Sequence, residues 1–235
     1  MSGRVTAAIA AAAALAVAAP AAAAPAVHQL VVFRSGSFKQ KTVRAKQTHA
    51  RVGHRRCVVG AGTPLAALVR SRVAKIVLHD FGSCSSRARD ASGLFVRKLG
   101  PDANSGQNGW VYKVGHKGGS AGAVDPSGPF GRGRLRSGAD VLWFYCRMQP
   151  AGSCQRTLSL DKVNAQAGGV LVRVGAYNDQ GKRIPAAGVT VHVGSATGVT
   201  NSSGTIRIAA PAGRHKVWAD GGGYVRSLNT TAKVR

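Results

Sequence analysis

Few residues in this 235-residue chain have the types and spacing that catalysis needs. All eight acidic residues are aspartate, and the motifs H-E-x-x-H, G-x-S-x-G and G-x-x-x-x-G-K-[ST] are absent. The nearest approach to a nucleophile site is His79-Asp80, close to Ser83. Neighbouring residues of a strand point to opposite faces of a sheet, so this pair cannot readily cooperate. We therefore predict a non-catalytic protein with no cofactor.

The four cysteines form an even set, which in an exported chain indicates two disulfides with three possible pairings. We favour Cys57–Cys84 and Cys146–Cys154, because Pro150-Ala151-Gly152 supplies a turn between the second pair. No two cysteines have the C-x-x-C spacing that zinc or redox sites use, so we expect no metal site.

A basic segment covers residues 34–56, where no acid interrupts the lysines and arginines. The whole chain has a formal net charge of +25. Such a surface attracts polyanions, and outside a cell these are anionic cell-envelope polymers and other extracellular polyanions rather than a specific nucleic acid. The alternative is a solvated strand face in a protein that is basic throughout. The predicted polyanion contacts are Arg44, Lys46, Arg51, Arg55 and Arg56.

Two aromatic strands suggest a second kind of site. Alternation places Val141, Trp143 and Tyr145 on one face of a strand, and Trp110 and Tyr112 project together from another. Trp110, Tyr112, Trp143 and Tyr145 are therefore candidates for a platform that binds a sugar ring or a flat ligand. The alternative is that these rings fill the core, covered by another part of the chain.

Residues 1–26 have the order of a secretory signal peptide: a positive start, an Ala-rich apolar run, and Ala24-Pro25-Ala26 as the cleavage site. No later apolar stretch approaches the roughly 20 residues that span a bilayer, so we expect no transmembrane anchor. The sequence predicts a secreted, extracellular protein, either released or associated with the cell envelope.

The remaining chain divides by composition near residue 157. Residues 27–157 contain nearly all the aromatics, short strands, and one helix signalled by Thr63-Pro64. Residues 158–235 contain short strands in which every second residue is apolar, as at Val170, Val172 and Val174. Turns that contain Gly and Asn separate these strands. The fold class is therefore mainly β: an α+β unit with one helix, followed by an all-β sandwich.

Three segments of the first region resemble domains related to the C-terminal domain of transcobalamin. They are Thr63–Leu68, the G-W-x-Y strand in Asn108–Gly115, and the S-G-x-D-V-x-W strand in Ser137–Tyr145. The resemblance covers about residues 27–157 and implies a β-grasp-like domain of secreted proteins. Because this domain helps to hold a corrinoid in transcobalamin, it also implies a cobalamin-type ligand as a third functional possibility, beside an unrecognised enzyme.

The second region is similar to carboxypeptidase-regulatory-like and related immunoglobulin-like surface modules. The similarity lies in the spacing of turn residues and alternating valines along this region. These residues are Asp179, Gly181, Ile184-Pro185, Gly188, Val189, Val191, Thr200-Asn201, Gly204, Gly213 and Gly223-Tyr224. It implies a β-sandwich that serves as a spacer or a binding module.

These observations favour a non-catalytic binding protein of the cell surface that engages anionic envelope polymers, or a small ligand or carbohydrate. The main alternative is a structural or adhesive spacer with no small-molecule ligand.

Overall fold

The computed structural model describes residues 23–82, 84, 93–119 and 134–235. The fold is mainly β with one helix, as predicted. Most of the expected signal peptide, residues 1–22, lies outside the described residues.

The N-terminal unit comprises the described residues up to Cys146. Its elements are β1 (Ala26–Val32), β2 (Phe38–Arg44), β3 (Thr48–Val52), β4 (Arg55–Val59), α1 (Pro64–Ser71), β5 (Ile76–Asp80), β6 (Leu94–Leu99), β7 (Asp102–Ala103), β8 (Gly109–Val114), β9 (Lys117–Gly118) and β10 (Asp140–Cys146).

The main sheet of this unit has the strand order β2-β1-β10-β8-β9. Its central pair, β1 and β10, is parallel, with Val31 opposite Trp143, and the other pairs are antiparallel. Helix α1 packs beside β1, β2 and β3, and its Leu65 and Leu68 are buried in the core. A helix therefore covers one face of a mixed sheet.

Helix α1 begins where its sequence predicts. The Thr63 side chain accepts a hydrogen bond of 3.2 Å from the Ala66 N–H, and Pro64 occupies the first turn. The helix ends at Arg72, whose φ of 49° is left-handed. That conformation usually belongs to glycine.

Two smaller sheets, β3-β4 and β5-β6-β7, complete the N-terminal unit. The disulfide Cys57–Cys84 links β4 to the residue that follows the β5 turn, and Cys146–Cys154 closes the loop after β10. The predicted pairing is confirmed.

The C-terminal unit, β11–β18, begins at Thr157 and forms a sandwich of two sheets. In one sheet β12 pairs with β11, β13 and β16, and the other has the order β15-β14-β17-β18. Their inner faces share a core of valines, alanines, Leu158 and Ile208. The strands are β11 (Thr157–Gln166), β12 (Gly169–Tyr177), β13 (Arg183–Pro185), β14 (Thr190–Val193), β15 (Ala196–Val199), β16 (Thr205–Ala209), β17 (Gly213–Asp220) and β18 (Thr230–Val234).

The two units meet through a third hydrophobic cluster and several polar contacts. Leu142 and Phe144, on the face of β10 away from α1, pack with Val225 and Leu228 of the C-terminal unit. The buried ammonium of Lys113 donates to carbonyl oxygens of the C-terminal unit. Both faces of the main sheet are therefore covered.

Candidate functional site

The four candidate platform rings lie in the interior. Trp110, Tyr112, Trp143 and Tyr145 are each no more than 4% exposed and belong to the core under α1. Trp110 packs edge-on against Tyr145 at 5.9 Å between ring centroids, and its Nε1 donates to the Asp102 carbonyl oxygen. An exposed aromatic platform at these residues was the wrong interpretation, because α1 and the small sheets enclose this face of the sheet.

The predicted basic contacts separate in the structure. Arg55 is held by Asp80, with its Nη2 2.7 Å from the Asp80 Oδ2, and Arg56 donates to His49 at 3.2 Å. Lys46 is exposed in the connection after β2. Arg44 and Arg51 each line a concave surface.

Arg44 joins cations from another element in a shallow depression of about 500 Å³, which we name the basic depression. Strand β2 contributes Lys41 and Arg44, and the end of α1 contributes Arg70 and Arg72. No acidic residue lines it; its other lining residues are Thr42, Val43 and Ser71.

The end of the helix explains part of this clustering. Lys41 Nζ donates to the Ser71 carbonyl oxygen at 3.0 Å, which satisfies one of the carbonyls that the last turn leaves unpaired. Cations are also favoured here by the negative end of the helix dipole. The guanidinium groups of Arg44, Arg70 and Arg72, however, make no hydrogen bond or ion pair with another described residue.

Arg72 extends the basic surface into a second groove. That groove has a volume of about 280 Å³ and includes His49 and Arg51 of β3, and Ile76 and Leu78 of β5. Arg72 therefore lies between two concave surfaces that each contain a predicted contact. Guanidinium groups present a planar set of donors that matches phosphate, sulfate and carboxylate groups.

Arg70 and Arg72 were missed by the sequence interpretation, which followed one continuous basic segment. The available signal was the run Arg70-Ser71-Arg72, which follows the apolar residues of the predicted helix. That run shows that the helix ends in cations, but it does not show that the helix end packs beside β2.

A different, polar cleft of about 580 Å³ lies between the two units, and we name it the junction cleft. His28 and Asp140 are opposite each other on β1 and β10, and His116 projects from the β8–β9 turn. His116 stacks flat on Tyr177, with ring centroids 3.7 Å apart. Partial burial lowers the pKa of His116 and raises that of Asp140, although both residues keep substantial contact with solvent.

The other acid of the junction cleft is already engaged. Asp161 accepts from the Tyr177 hydroxyl at 2.8 Å and from the Arg183 Nε at 2.6 Å. Burial and the Asp161 hydrogen bond raise the pKa of Tyr177 to about 12. Within the described part of the chain, Asp140 makes no side-chain hydrogen bond to His28 or His116, so these groups do not form a proton relay.

His79 and Asp80 are also separated. The His79 ring packs against exposed Phe81 at 4.4 Å, while the Asp80 carboxylate is buried and accepts from Arg55, Gly82 and Cys84. Ser83 lies outside the described residues. Among the described residues, no group of three His, Cys or Asp side chains could hold a metal ion.

Comparison with known proteins assigns no family. No protein family model, no curated protein and no solved structure matches this chain. In the described ranges, no helix has the length and apolar character needed to cross a membrane.

Proposed function

We propose that this protein is a non-catalytic, exported binder of anionic cell-envelope polymers, and that the basic depression is the contact surface. The observation that carries the proposal is the convergence of Arg44, Arg70 and Arg72 from two elements, with no acid among them and no described partner for their guanidinium groups. Cations that served only to interact with the carbonyl groups at the end of α1 would not need to come together from two elements.

Export is supported by two independent features. Both disulfides form between side chains that the fold brings together, and disulfides persist in oxidising compartments. The leader-like residues 1–26 supply the route. The β-grasp-like resemblance of the N-terminal unit and the carboxypeptidase-regulatory-like resemblance of the sandwich remain part of this proposal, since both are typical of secreted proteins.

A small ligand or a carbohydrate receives less support. The four aromatic rings that would have stacked on it are buried. The polyanion version of the binding hypothesis is therefore the one that we propose.

The test uses immobilised heparin and immobilised polyphosphate as probes of the two anionic polymer classes. A triple variant, Arg44→Gln/Arg70→Gln/Arg72→Gly, removes the three free cations, with glycine chosen for the left-handed position. Each lost phosphate contact should reduce the slope of log K against log salt by about 0.7 to 0.9.

The matched control is Arg207→Gln/Arg214→Gln/Lys216→Gln, which removes the same charge from exposed positions of the C-terminal unit. Binding should fall strongly in the first variant and weakly in the control. Equal losses in both variants would show that net charge alone attracts the polymer, and would contradict a localised site.

The structural or adhesive spacer is the second candidate, and the built junction between the units favours it. A spacer needs two units in a fixed relation, which the Lys113 contacts and the third hydrophobic cluster supply. Absence of retention on either polymer, at any salt concentration, would support the spacer instead.

A further inference from the structure

An apolar surface that the proposed function does not use lies on the small sheet β5-β6-β7. Val77 and Phe81 on the β5 side and Phe95 on β6 are 39%, 73% and 40% exposed. These are three of the six large hydrophobic residues exposed in the described part of the chain. We name this surface, together with His79, the outer apolar face.

Strand geometry makes the face continuous. Alternate residues of a strand share a face, so Val77, His79 and Phe81 project together, while Leu78 between them is buried. His79 is directly opposite Phe95 in the pairing of β5 with β6, and its ring contacts that of Phe81. Side chains opposite each other on paired strands lie about 4.5–5.5 Å apart at Cβ.

Contacts of the neighbouring Asp80 fix the turn that carries Phe81. The Asp80 carboxylate accepts hydrogen bonds from the Gly82 and Cys84 N–H groups, and Arg55 pairs with it. Cys84 is in turn bonded to the buried Cys57. The turn after β5 is thus fastened to the neighbouring hairpin, and Phe81 is directed outward by a built structure.

The border of the face is cationic. Lys98 is opposite Val77, Arg97 lies two residues after Phe95 where the pairing shifts register, and Lys75 precedes β5; all three lysine and arginine residues are exposed. The two acidic side chains of these strands make other contacts. The buried Asp80 carboxylate pairs with Arg55, and the Asp102 carboxylate accepts a hydrogen bond of 2.8 Å from the Arg34 N–H.

We propose that the outer apolar face docks on the surface of an anionic lipid bilayer, with Phe81 and Phe95 entering the headgroup region. Apolar and aromatic side chains bordered by lysine and arginine have the composition of surfaces that lie in a membrane interface. Exposed phenylalanine gains by leaving water, and the bordering cations are attracted to anionic headgroups.

Other occupants fit less well. A second copy of this chain would bring two cationic borders together in a protein of net charge +25. A single nucleic acid strand would need ring faces for stacking along the surface, and Val77 offers none. The face is distinct from the basic depression, so this inference does not rest on the proposed function.

The experiment measures sedimentation of the purified protein with vesicles of phosphatidylcholine alone and of phosphatidylcholine mixed with phosphatidylglycerol. Phe81→Ser/Phe95→Ser should weaken binding to the anionic vesicles by about tenfold or more, because apolar burial supplies a large part of interfacial binding. The control is Ile184→Ser/Val199→Ser, which changes two exposed apolar residues of the C-terminal unit and should bind as the unchanged protein does.

A Phe81→Trp variant provides a second readout that does not depend on truncation. Its tryptophan emission should shift to the blue with anionic vesicles and stay unchanged with phosphatidylcholine alone. The serine variant should also keep its retention on heparin, which separates this surface from the basic depression.

Three outcomes would overturn the proposal. The first is equal vesicle binding by the Phe81→Ser/Phe95→Ser variant and the control. The second is a dimer in analytical ultracentrifugation that the serine variant loses, which would assign the face to a second copy. The third is binding to a thymidine oligonucleotide that depends on the two phenylalanines while vesicle binding does not.

Discussion

The core of the N-terminal unit is built on large aromatic rings, whereas the core of the C-terminal unit contains small aliphatic side chains. Trp110, Tyr112, Trp143 and Tyr145 are buried in the first. The buried described members of the second are all Val, Ala, Leu or Ile. The difference follows the architecture, because a helix and several short sheets leave irregular volumes, while two facing sheets interdigitate small residues.

The two units also differ in their disulfide bonds. All four cysteines precede Thr157, so the sandwich has no disulfide. The sandwich has long pairings, such as that of β11 with β12, which continues past a register shift between Leu160 and Lys162. The small sheets β3-β4 and β5-β6-β7 have few hydrogen-bonded neighbours, and Cys57–Cys84 links one to the other. This disulfide therefore joins two small sheets that few backbone pairings hold together.

The junction differs from both units because a buried cation organises it. Lys113 Nζ donates to the carbonyl oxygens of Tyr177 and Asn178 at 3.0 Å each, and lies 3.4 Å from the Asp179 Oδ1. Burial lowers the pKa of Lys113, and Asp179 opposes that shift. The N-terminal unit thus presents a charged group to a turn of the sandwich.

The largest expected effect comes from removing this contact. Lys113→Met should reduce the free energy of unfolding by about 3–5 kcal/mol, because it leaves buried carbonyl oxygens and one carboxylate without their cation. The measurement is urea unfolding followed by tryptophan fluorescence, with and without Trp218→Phe, which leaves only reporters of the N-terminal unit.

Lys117→Met is the matched control, since Lys117 lies on the adjacent β9 and is exposed. It should change stability by less than about 0.5 kcal/mol. Equal unfolding midpoints for the two variants would show that the junction does not depend on the buried ammonium.

The two disulfides should differ in their contribution to the stability of the N-terminal unit. Their cysteines are separated by 27 and 8 positions. The loop-entropy relation therefore predicts losses of about 3.5 kcal/mol for Cys57→Ala/Cys84→Ala and about 2.5 kcal/mol for Cys146→Ala/Cys154→Ala. Urea unfolding in the Trp218→Phe background measures both. The reverse order would mean that loop closure is not the main contribution.

The sequence predicted what local patterns determine. The Thr63-Pro64 start of α1, the strands β5, β6, β8 and β10, and the Cys146–Cys154 pair all depend on neighbouring residues or on alternation. Residues 42–52 contain no glycine or proline, yet the chain turns between β2 and β3, where Ala45 is buried. Alternation does not reveal such a turn when no glycine or proline marks it.

The candidate sites depend on tertiary packing, which a single sequence does not contain. The alternation of residues in β10 shows that both faces of this strand are apolar. It does not show that Trp143 packs in the core with α1, or that Phe144 packs with Val225 and Leu228. In the same way, the meeting of Arg44 with Arg70 and Arg72 follows from the position of α1 beside β2. Neither arrangement leaves a periodic signal along the chain.

Substitution of Arg72 should have a smaller effect on stability and should also change binding. Arg72→Gly should raise the free energy of unfolding by about 1 kcal/mol, because glycine adopts a left-handed conformation without the cost that other residues incur. The same change should weaken retention on heparin. Arg70→Gln removes an equal charge from a helical position, so it should weaken binding without increasing stability. A gain in both properties with Arg72→Gly would exclude Arg72 from the binding surface.

The smallest effect concerns the junction cleft, and its sign follows from the pKa of Asp140. Partial burial raises that pKa above 3.8, so the folded protein holds the Asp140 proton more tightly than the unfolded chain does. The contribution of Asp140 to stability is therefore fully present below about pH 3.8 and declines as pH rises through the folded pKa.

Asp140→Asn removes this dependence. Near pH 7 the variant should be slightly more stable than the unchanged protein, by less than about 0.5 kcal/mol, and at about pH 3 the two should be equal. The comparison requires urea unfolding at both pH values, with Asp102→Asn as a control that keeps an oxygen for the Arg34 N–H. A loss of stability near pH 7 would mean that the interactions of the carboxylate outweigh the cost of its burial, and that the cleft between the units favours the charged form.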